Sequence, residues 1–147
     1  MNILLADDIQ GWLDFNQQNI KMLLGNDNVN FYAFNSAKEA YDFSFTFPEK
    51  IDLVVTDLEM EHMYDEPAGA WLIKNLKTIK ATQTSRYIII SSSYNIDFIA
   101  QETKAALNAD RCTVFLFDKE KINPNYSDWN LRKDDLEELS GLKFGKM

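Results

Sequence analysis

The feature that most constrains the fold of this chain is a regular alternation of short apolar runs with longer segments. Five runs are rich in β-branched and aliphatic residues, and they span residues 2–6, 29–34, 51–56, 86–90 and 113–117. The first, third and fourth contain continuous apolar stretches, which are typical of strands covered on both faces. Connections between parallel strands of one sheet are almost always right-handed, which places helices on both faces. The alternation predicts an α/β fold, a doubly wound (βα)₅ domain with a five-stranded parallel sheet.

Helix signals fill the segments between these runs. Five segments carry apolar residues at helical spacing, and they span residues 11–24, 36–47, 69–80, 96–107 and 128–141. Gly25 is a C-terminal stop for the first, and Ser36 begins a Ser-x-x-Glu capping box for the second. Asp128 can cap the last helix, which would stop near Gly141. We therefore predict one domain over residues 1–141, followed by a short C-terminal tail over residues 142–147.

The composition excludes several classes of protein. The 147 residues include 15 Lys and Arg against 23 Asp and Glu, which gives a formal charge of −8. This balance argues against nucleic acid as a partner, because its binding depends on neutralising phosphates. The single Cys112 cannot form an internal disulfide, and the single His62 cannot build a zinc cluster. No stretch resembles a signal peptide or a membrane helix, so we expect a soluble, cytoplasmic protein without membrane partners.

Residues that can carry the chemistry of a site follow four of the five apolar runs directly. Asp7 and Asp8 follow the first run, Asp57 the third, Ser91–Ser93 the fourth and Asp118–Lys119 the fifth. In an open parallel sheet, ligands bind outside the carboxyl ends of the strands. Three carboxylates brought together there repel one another unless a cation or a proton separates them, and Mg²⁺ suits such oxygen ligands. One carboxylate can then attack phosphorus to form an acyl phosphate.

Four short segments at these strand ends resemble the receiver domain of two-component response regulators. They are ILLADD at residues 3–8, VVTDLEM at 54–60, IIISS at 88–92 and FLFDK at 115–119. Each segment is a weak signal alone, but together they stand in the family's order, each at the end of a strand. The resemblance spans nearly the whole chain and implies the flavodoxin-like strand order 2-1-3-4-5.

The resemblance implies a role for each carboxylate of the pocket. Asp57 would be the phosphoacceptor, taking a phosphoryl group from a histidine kinase or phosphotransfer protein. Asp7 and Asp8 would bind Mg²⁺ together with Asp57, with the backbone carbonyl of Glu59 as a further ligand. The Glu59 side chain would also lie where this family tunes autodephosphorylation.

The two later strands would complete the pocket. By the same resemblance, Ser91 would be the switch hydroxyl, with Ser92 as the alternative, and Ser93 would be a second tuning position. Lys119 would pair with the phosphoryl group or with the phosphoacceptor, and Lys121 is its solvated alternative. We favour Lys119 because it follows the apolar strand directly.

The sequence departs from the family pattern at three places. Glu120 stands where a proline usually follows the strand-five lysine, and Leu116 occupies the usual position of an aromatic switch residue. The segment over residues 59–66 is an acidic loop, longer than the family's usual form. We expect the phosphorylation chemistry to tolerate these changes, whereas the usual output route lacks its aromatic switch residue.

Three functions are consistent with this sequence. The first is a stand-alone receiver, not an enzyme beyond self-catalysed phosphotransfer and autodephosphorylation, that signals to a protein partner through its helix 4–strand 5–helix 5 face. The second is a pseudo-receiver, an interaction module that works without phosphorylation. The third and least favoured is a Mg²⁺-dependent phosphohydrolase of the haloacid-dehalogenase type. The sequence leaves open whether the chain is a monomer or a homodimer.

Overall fold

A computed structural model describes residues 1–24, 28–63, 66–90 and 112–115 of the chain. It contains a large sheet, a short hairpin and three helices. In chain order the elements are β1 (Asn2–Ala6), α1 (Gln10–Leu24), β2 (Asn30–Phe34), α2 (Ala37–Thr46), β3 (Leu53–Thr56), β4 (His62–Met63), β5 (Glu66–Pro67), α3 (Ala68–Leu76), β6 (Arg86–Ile90) and β7 (Cys112–Phe115). Among the helices described, none is both long and apolar enough to cross a membrane.

Five strands form one parallel sheet in the order β2-β1-β3-β6-β7. Counted along the chain within this sheet, the order is 2-1-3-4-5, as the resemblance implied. Strand β1 lies between β2 and β3, and its register pairs Ala6 with Phe34 on one side and with Thr56 on the other. The carboxyl ends of β1, β2 and β3 therefore lie side by side at one edge of the sheet.

Strands β1, β3 and β6 are buried on both faces, which explains their continuous apolar runs. Along β1, Leu4 and Ala6 belong to one core cluster with residues of α2 and α3, while Ile3 and Leu5 belong to a second cluster with residues of α1. The same alternation continues in β3 and β6. Because successive side chains of a strand point to opposite faces, a strand covered by helices on both sides needs apolar residues at every position.

The predicted bounds of the strands agree with the structure to within two residues where they fall on described residues; the predicted end of the fifth strand, residues 116–117, lies outside them. Two other segments differ more. Helix α3 ends at Leu76 rather than near Lys80, because the chain then tightens into turns in which the amide of Thr78 bonds the carbonyl of Asn75. The acidic segment predicted as a loop contains an antiparallel hairpin, β4 with β5. The helices predicted over residues 96–107 and 128–141 lie outside the described residues.

Helix α2 begins as its capping signal predicted. Ser36 is in an extended conformation, and its side-chain oxygen accepts a hydrogen bond from the amide of Glu39 at 3.1 Å. The helix ends at Thr46, one residue before the extended Phe47. The bond from the amide of Glu39 to Ser36 satisfies one of the amides that the first turn of any helix leaves unpaired.

Replacing this cap tests its contribution to stability. We expect Ser36→Ala to lower the free energy of unfolding by about 1 kcal/mol, because the amide of Glu39 loses its acceptor. Chemical denaturation followed by circular dichroism measures the change. Ser36→Asn, which supplies another good capping side chain, should retain most of the stability. Equal losses in the two variants would show that the cap is not the cause.

Candidate functional site

Two of the predicted aspartates are placed side by side by the sheet itself. Asp7 follows β1 and Asp57 follows β3, and these strands are neighbours. The amide of Asp57 donates a hydrogen bond to the carbonyl of Ala6 at 3.1 Å, and the amide of Asp7 donates to the carbonyl of Phe34 at 3.1 Å. Backbone pairing therefore continues one residue beyond the strands and fixes both aspartates at the carboxyl edge of the sheet.

Asp8 joins these two aspartates in one acidic cluster. One carboxylate oxygen from each of Asp7, Asp8 and Asp57 lies within 4.8 Å of the others. Asp7 is 1% exposed and Asp57 is 7% exposed, while Asp8 is exposed. The convergence of the three carboxylates, predicted from the strand ends, is thus present in the structure.

Hydrogen bonds orient the two buried carboxylates. Oδ1 of Asp7 accepts from the amide of Ile9 at 3.0 Å, and Oδ1 of Asp57 accepts from the amide of Glu59 at 3.4 Å. Both bonds hold these carboxylates at the carboxyl edge of the sheet, within the cluster. The donor set is made of hard oxygens, with one exposed carboxylate at its solvent side, and this combination fits Mg²⁺, which uses one or two carboxylates and retains several waters.

Gly69 packs against the backbone of Asp57 and Leu58 and so supports the acidic cluster. The sequence predicted this residue only as the start of a helix. Its amide donates to the carbonyl of Leu58 at 2.9 Å. A Cβ atom built on Gly69 would lie 1.9 Å from the carbonyl oxygen of Asp57 and 2.7 Å from Cα of Leu58. Helix α3 thus approaches the backbone of the site so closely that only glycine fits. A glycine within an apolar helical pattern is the signal that indicates such an approach.

Glu61 is a second residue whose role the sequence did not reveal. It was predicted only as part of an acidic loop, but its two carboxylate oxygens accept hydrogen bonds from the amides of Ala37 and Lys38 at 2.7 and 2.9 Å. The loop after Asp57 is therefore attached to the N-terminus of α2. No local pattern signals this contact, because its partners are more than twenty residues away along the chain.

The remaining predicted site residues cannot be placed. Ser91, Ser93 and Lys119 lie outside the described residues, as do Leu116 and Glu120. Their strands are present, since β6 ends at Ile90 beside β3, and β7 pairs with β6. The switch hydroxyl, the lysine and the departures from the family pattern therefore stay predictions.

Comparison with solved structures shows which known fold this arrangement shares. The signal receiver domain of the DNA-binding response regulator MerR from Colwellia psychrerythraea 34H is 20% identical, with a TM-score of 0.65 over 97% of this chain and 99% of that one. A response regulator receiver domain from Clostridium thermocellum is 23% identical, with a TM-score of 0.57 over 84% and 85% of the two chains. The chain has the fold of a response regulator receiver domain.

A further solved structure shares the receiver fold over nearly its whole length. The phosphorylated cyanobacterial phytochrome response regulator RcpA is 16% identical, with a TM-score of 0.65 over 95% of this chain and 92% of that one. No protein-family model matches the sequence, and neither does any curated protein. The receiver fold agrees with the resemblance, and the acidic cluster is formed by the aspartates of the first two of the four segments, residues 3–8 and 54–60.

Proposed function

We propose that this chain is a response regulator receiver that accepts a phosphoryl group on Asp57. The observation that carries the proposal is the cluster of three carboxylates within 4.8 Å, two of them buried, at the ligand-binding edge of a receiver fold. Burying two like charges side by side is costly unless a ligand compensates them. Such an arrangement is typical of a functional site rather than of a surface kept for solubility.

In the proposed reaction, a carboxylate oxygen of Asp57 attacks the phosphorus of a phosphohistidine on a histidine kinase or phosphotransfer protein. An O–P bond forms, the P–N bond breaks, and the histidine nitrogen keeps the electron pair and takes up a proton. Asp7, Asp8, Asp57 and the backbone carbonyl of Glu59 would hold Mg²⁺, which when bound supplies charge neutralisation for the incoming phosphoryl group. Asp7 is held for this role by its bond from Ile9.

The outcome is a signalling state rather than turnover of a substrate. Ser91 would bond a phosphoryl oxygen, Lys119 would pair with the phosphoryl group, and Glu59 and Ser93 would tune autodephosphorylation. The chain would then contact a protein partner through its helix 4–strand 5–helix 5 face. With a histidine kinase as donor, the chain would act in the cytoplasm, as we expect from the sequence.

A phosphorylation assay tests the proposal directly. Incubation with acetyl phosphate and Mg²⁺ should add the mass of one phosphoryl group, measured on the intact protein, and chelation of Mg²⁺ with EDTA should prevent it. Asp57→Asn should abolish the adduct because the nucleophilic oxygen is lost. Asp14→Asn, which neutralises an exposed carboxylate of α1, is the matched control and should be phosphorylated like the wild type.

Three results would contradict the proposal. A wild-type chain that forms no adduct with acetyl phosphate, phosphoramidate or any candidate kinase would favour the pseudo-receiver, in which partner binding does not depend on Asp57. An adduct that persists in Asp57→Asn would place the phosphoacceptor elsewhere. Steady hydrolysis of a phosphomonoester would instead favour a phosphohydrolase.

A further inference from the structure

The loop after Asp57 is held at its middle by a helix that contributes no residue to the acidic cluster. Both carboxylate oxygens of Glu61 bind the first turn of α2. They accept hydrogen bonds from the amide of Ala37 at 2.7 Å and from that of Lys38 at 2.9 Å. A carboxylate at the positive end of a helix dipole makes charge-assisted hydrogen bonds of the stronger kind. The contact joins two segments that are otherwise far apart in sequence.

Glu61 completes the capping of α2. Ser36 satisfies the amide of Glu39, and the first bond made within the helix runs from the amide of Ala40 to the carbonyl of Ser36 at 3.2 Å. The amides of Ala37 and Lys38 are the ones left over, and Ala37 is fully buried. Because a buried amide without an acceptor is destabilising, the hydrogen bonds to these two amides favour one position of the Glu61 side chain.

This attachment limits where the backbone of Glu59 can lie. The hydrogen bond from its amide to the carbonyl of Ala6 fixes Asp57, and the bonds to α2 fix Glu61. Only three residues lie between these two fixed positions. The amide of Glu59 already contacts Oδ1 of Asp57. A segment this short, held at both ends, has few conformations, and its central carbonyl is placed before any ligand arrives.

We infer that Glu61 is a positioning residue for the metal site: by holding the loop on α2, it places the backbone carbonyl of Glu59 as a Mg²⁺ ligand. The inference rests on the proposed function, because it supposes that the acidic cluster binds Mg²⁺. It also implies the reverse effect, since coupling between two sites is reciprocal: Mg²⁺ binding should stabilise the first turn of α2.

Titration with MgCl₂, followed by the amide signals of the ¹⁵N-labelled full chain in NMR, tests both directions. Glu61→Ala should weaken Mg²⁺ binding by roughly fivefold or more. Glu61→Gln, which keeps the size and one good acceptor, should lie between Glu61→Ala and the wild type. In the wild type, Mg²⁺ should shift the amide signals of Ala37 and Lys38, and these shifts should be lost in Glu61→Ala.

Two variants of the same helix turn are matched controls. Ser36→Ala weakens the cap of α2 without touching the loop, and Glu39→Gln removes a carboxylate from the same turn without breaking the bonds of Glu61. Both should bind Mg²⁺ with nearly wild-type affinity. Circular dichroism confirms that each variant is folded.

The outcomes separate the inference from the proposed function. Wild-type affinity in Glu61→Ala, or an equal loss in Ser36→Ala or Glu39→Gln, would overturn the inference while leaving the metal site in place. A wild-type chain that binds no Mg²⁺ would contradict the proposed function itself, and the inference with it. A loss confined to the two Glu61 variants would support the positioning role.

Discussion

Gly69→Ala is expected to lower the free energy of unfolding by at least about 3 kcal/mol and to reduce phosphorylation of Asp57 sharply. The added methyl group would lie 1.9 Å from the carbonyl oxygen of Asp57, and the backbone of Leu58 would be only 2.7 Å away. Both obstacles are backbone atoms next to β3, so no side chain can rotate aside. Helix α3 or the end of β3 must move, and either movement displaces the phosphoacceptor.

Gly11 supplies the matched control for this substitution. It also lies in a helix, α1, but a Cβ atom there would meet nothing within 4 Å. Gly11→Ala should therefore stabilise the chain by about 0.5–1 kcal/mol through helix propensity alone. Denaturant titration measures both stabilities, and the acetyl phosphate assay reports the site. If Gly69→Ala matched Gly11→Ala in stability and phosphorylation, the close approach of α3 would have no consequence.

The sequence predicted the parts of the fold and site that depend on strand order and patterning. Continuous apolar runs predicted strands buried on both faces, and the residues directly after the runs predicted the cluster of Asp7, Asp8 and Asp57. Both predictions are confirmed because the edge of a parallel sheet collects whatever follows its strands. The start of α2 was also predictable, since the cap at Ser36 is a local interaction.

What the sequence did not predict depends on contacts between distant segments. The bonds of Glu61 to α2 and the approach of Gly69 to Asp57 exist only once the sheet has brought β3, α2 and α3 together. An acidic loop and a glycine at a helix start have many ordinary explanations when seen in one sequence. The partners in these supporting contacts therefore could not be predicted from the sequence, although the cluster itself could, and Gly69 offered only a general signal of close packing.

These supports bear on how far the chain departs from the receiver pattern. The resemblance implied that the loop after Asp57 is longer and more acidic than the usual form, and in the structure this loop is held at Leu58 by Gly69 and at Glu61 by α2. A longer loop would by itself place the carbonyl of Glu59 less well, because it has more conformations. Attachment to α2 offsets this loss, so the altered loop is compatible with the phosphorylation chemistry that we propose.

Asp57→Asn is expected to change stability and Mg²⁺ affinity in opposite directions. Without divalent cations, it should raise the free energy of unfolding by about 1–2 kcal/mol. Asp7 and Asp57 are both buried and their oxygens lie within 4.8 Å, so their like charges repel each other. Asparagine has nearly the same size and keeps an oxygen that can accept from the amide of Glu59.

With Mg²⁺, the difference in free energy of unfolding between Asp57→Asn and the wild type should become smaller or change sign. The wild type gains stability as the cation binds, because a ligand that binds only the folded state stabilises it. The variant loses a ligand and should bind Mg²⁺ at least about tenfold more weakly, the smallest loss expected even for an outer-shell partner. Thermal or denaturant unfolding at increasing MgCl₂ concentration measures both effects in one series.

Asp8→Asn separates the two causes within the same cluster. Asp8 is exposed, so water already screens its charge and its neutralisation should change stability much less than that of Asp57. The Mg²⁺ affinity of Asp8→Asn should nevertheless fall, because the cluster loses one of three carboxylates. A destabilised Asp57→Asn, or one that binds Mg²⁺ like the wild type, would show that the buried carboxylates are not held in a repulsive arrangement that a cation relieves. Higher stability together with weaker Mg²⁺ binding in Asp57→Asn would indicate that the cluster binds a cation at the expense of the chain's stability.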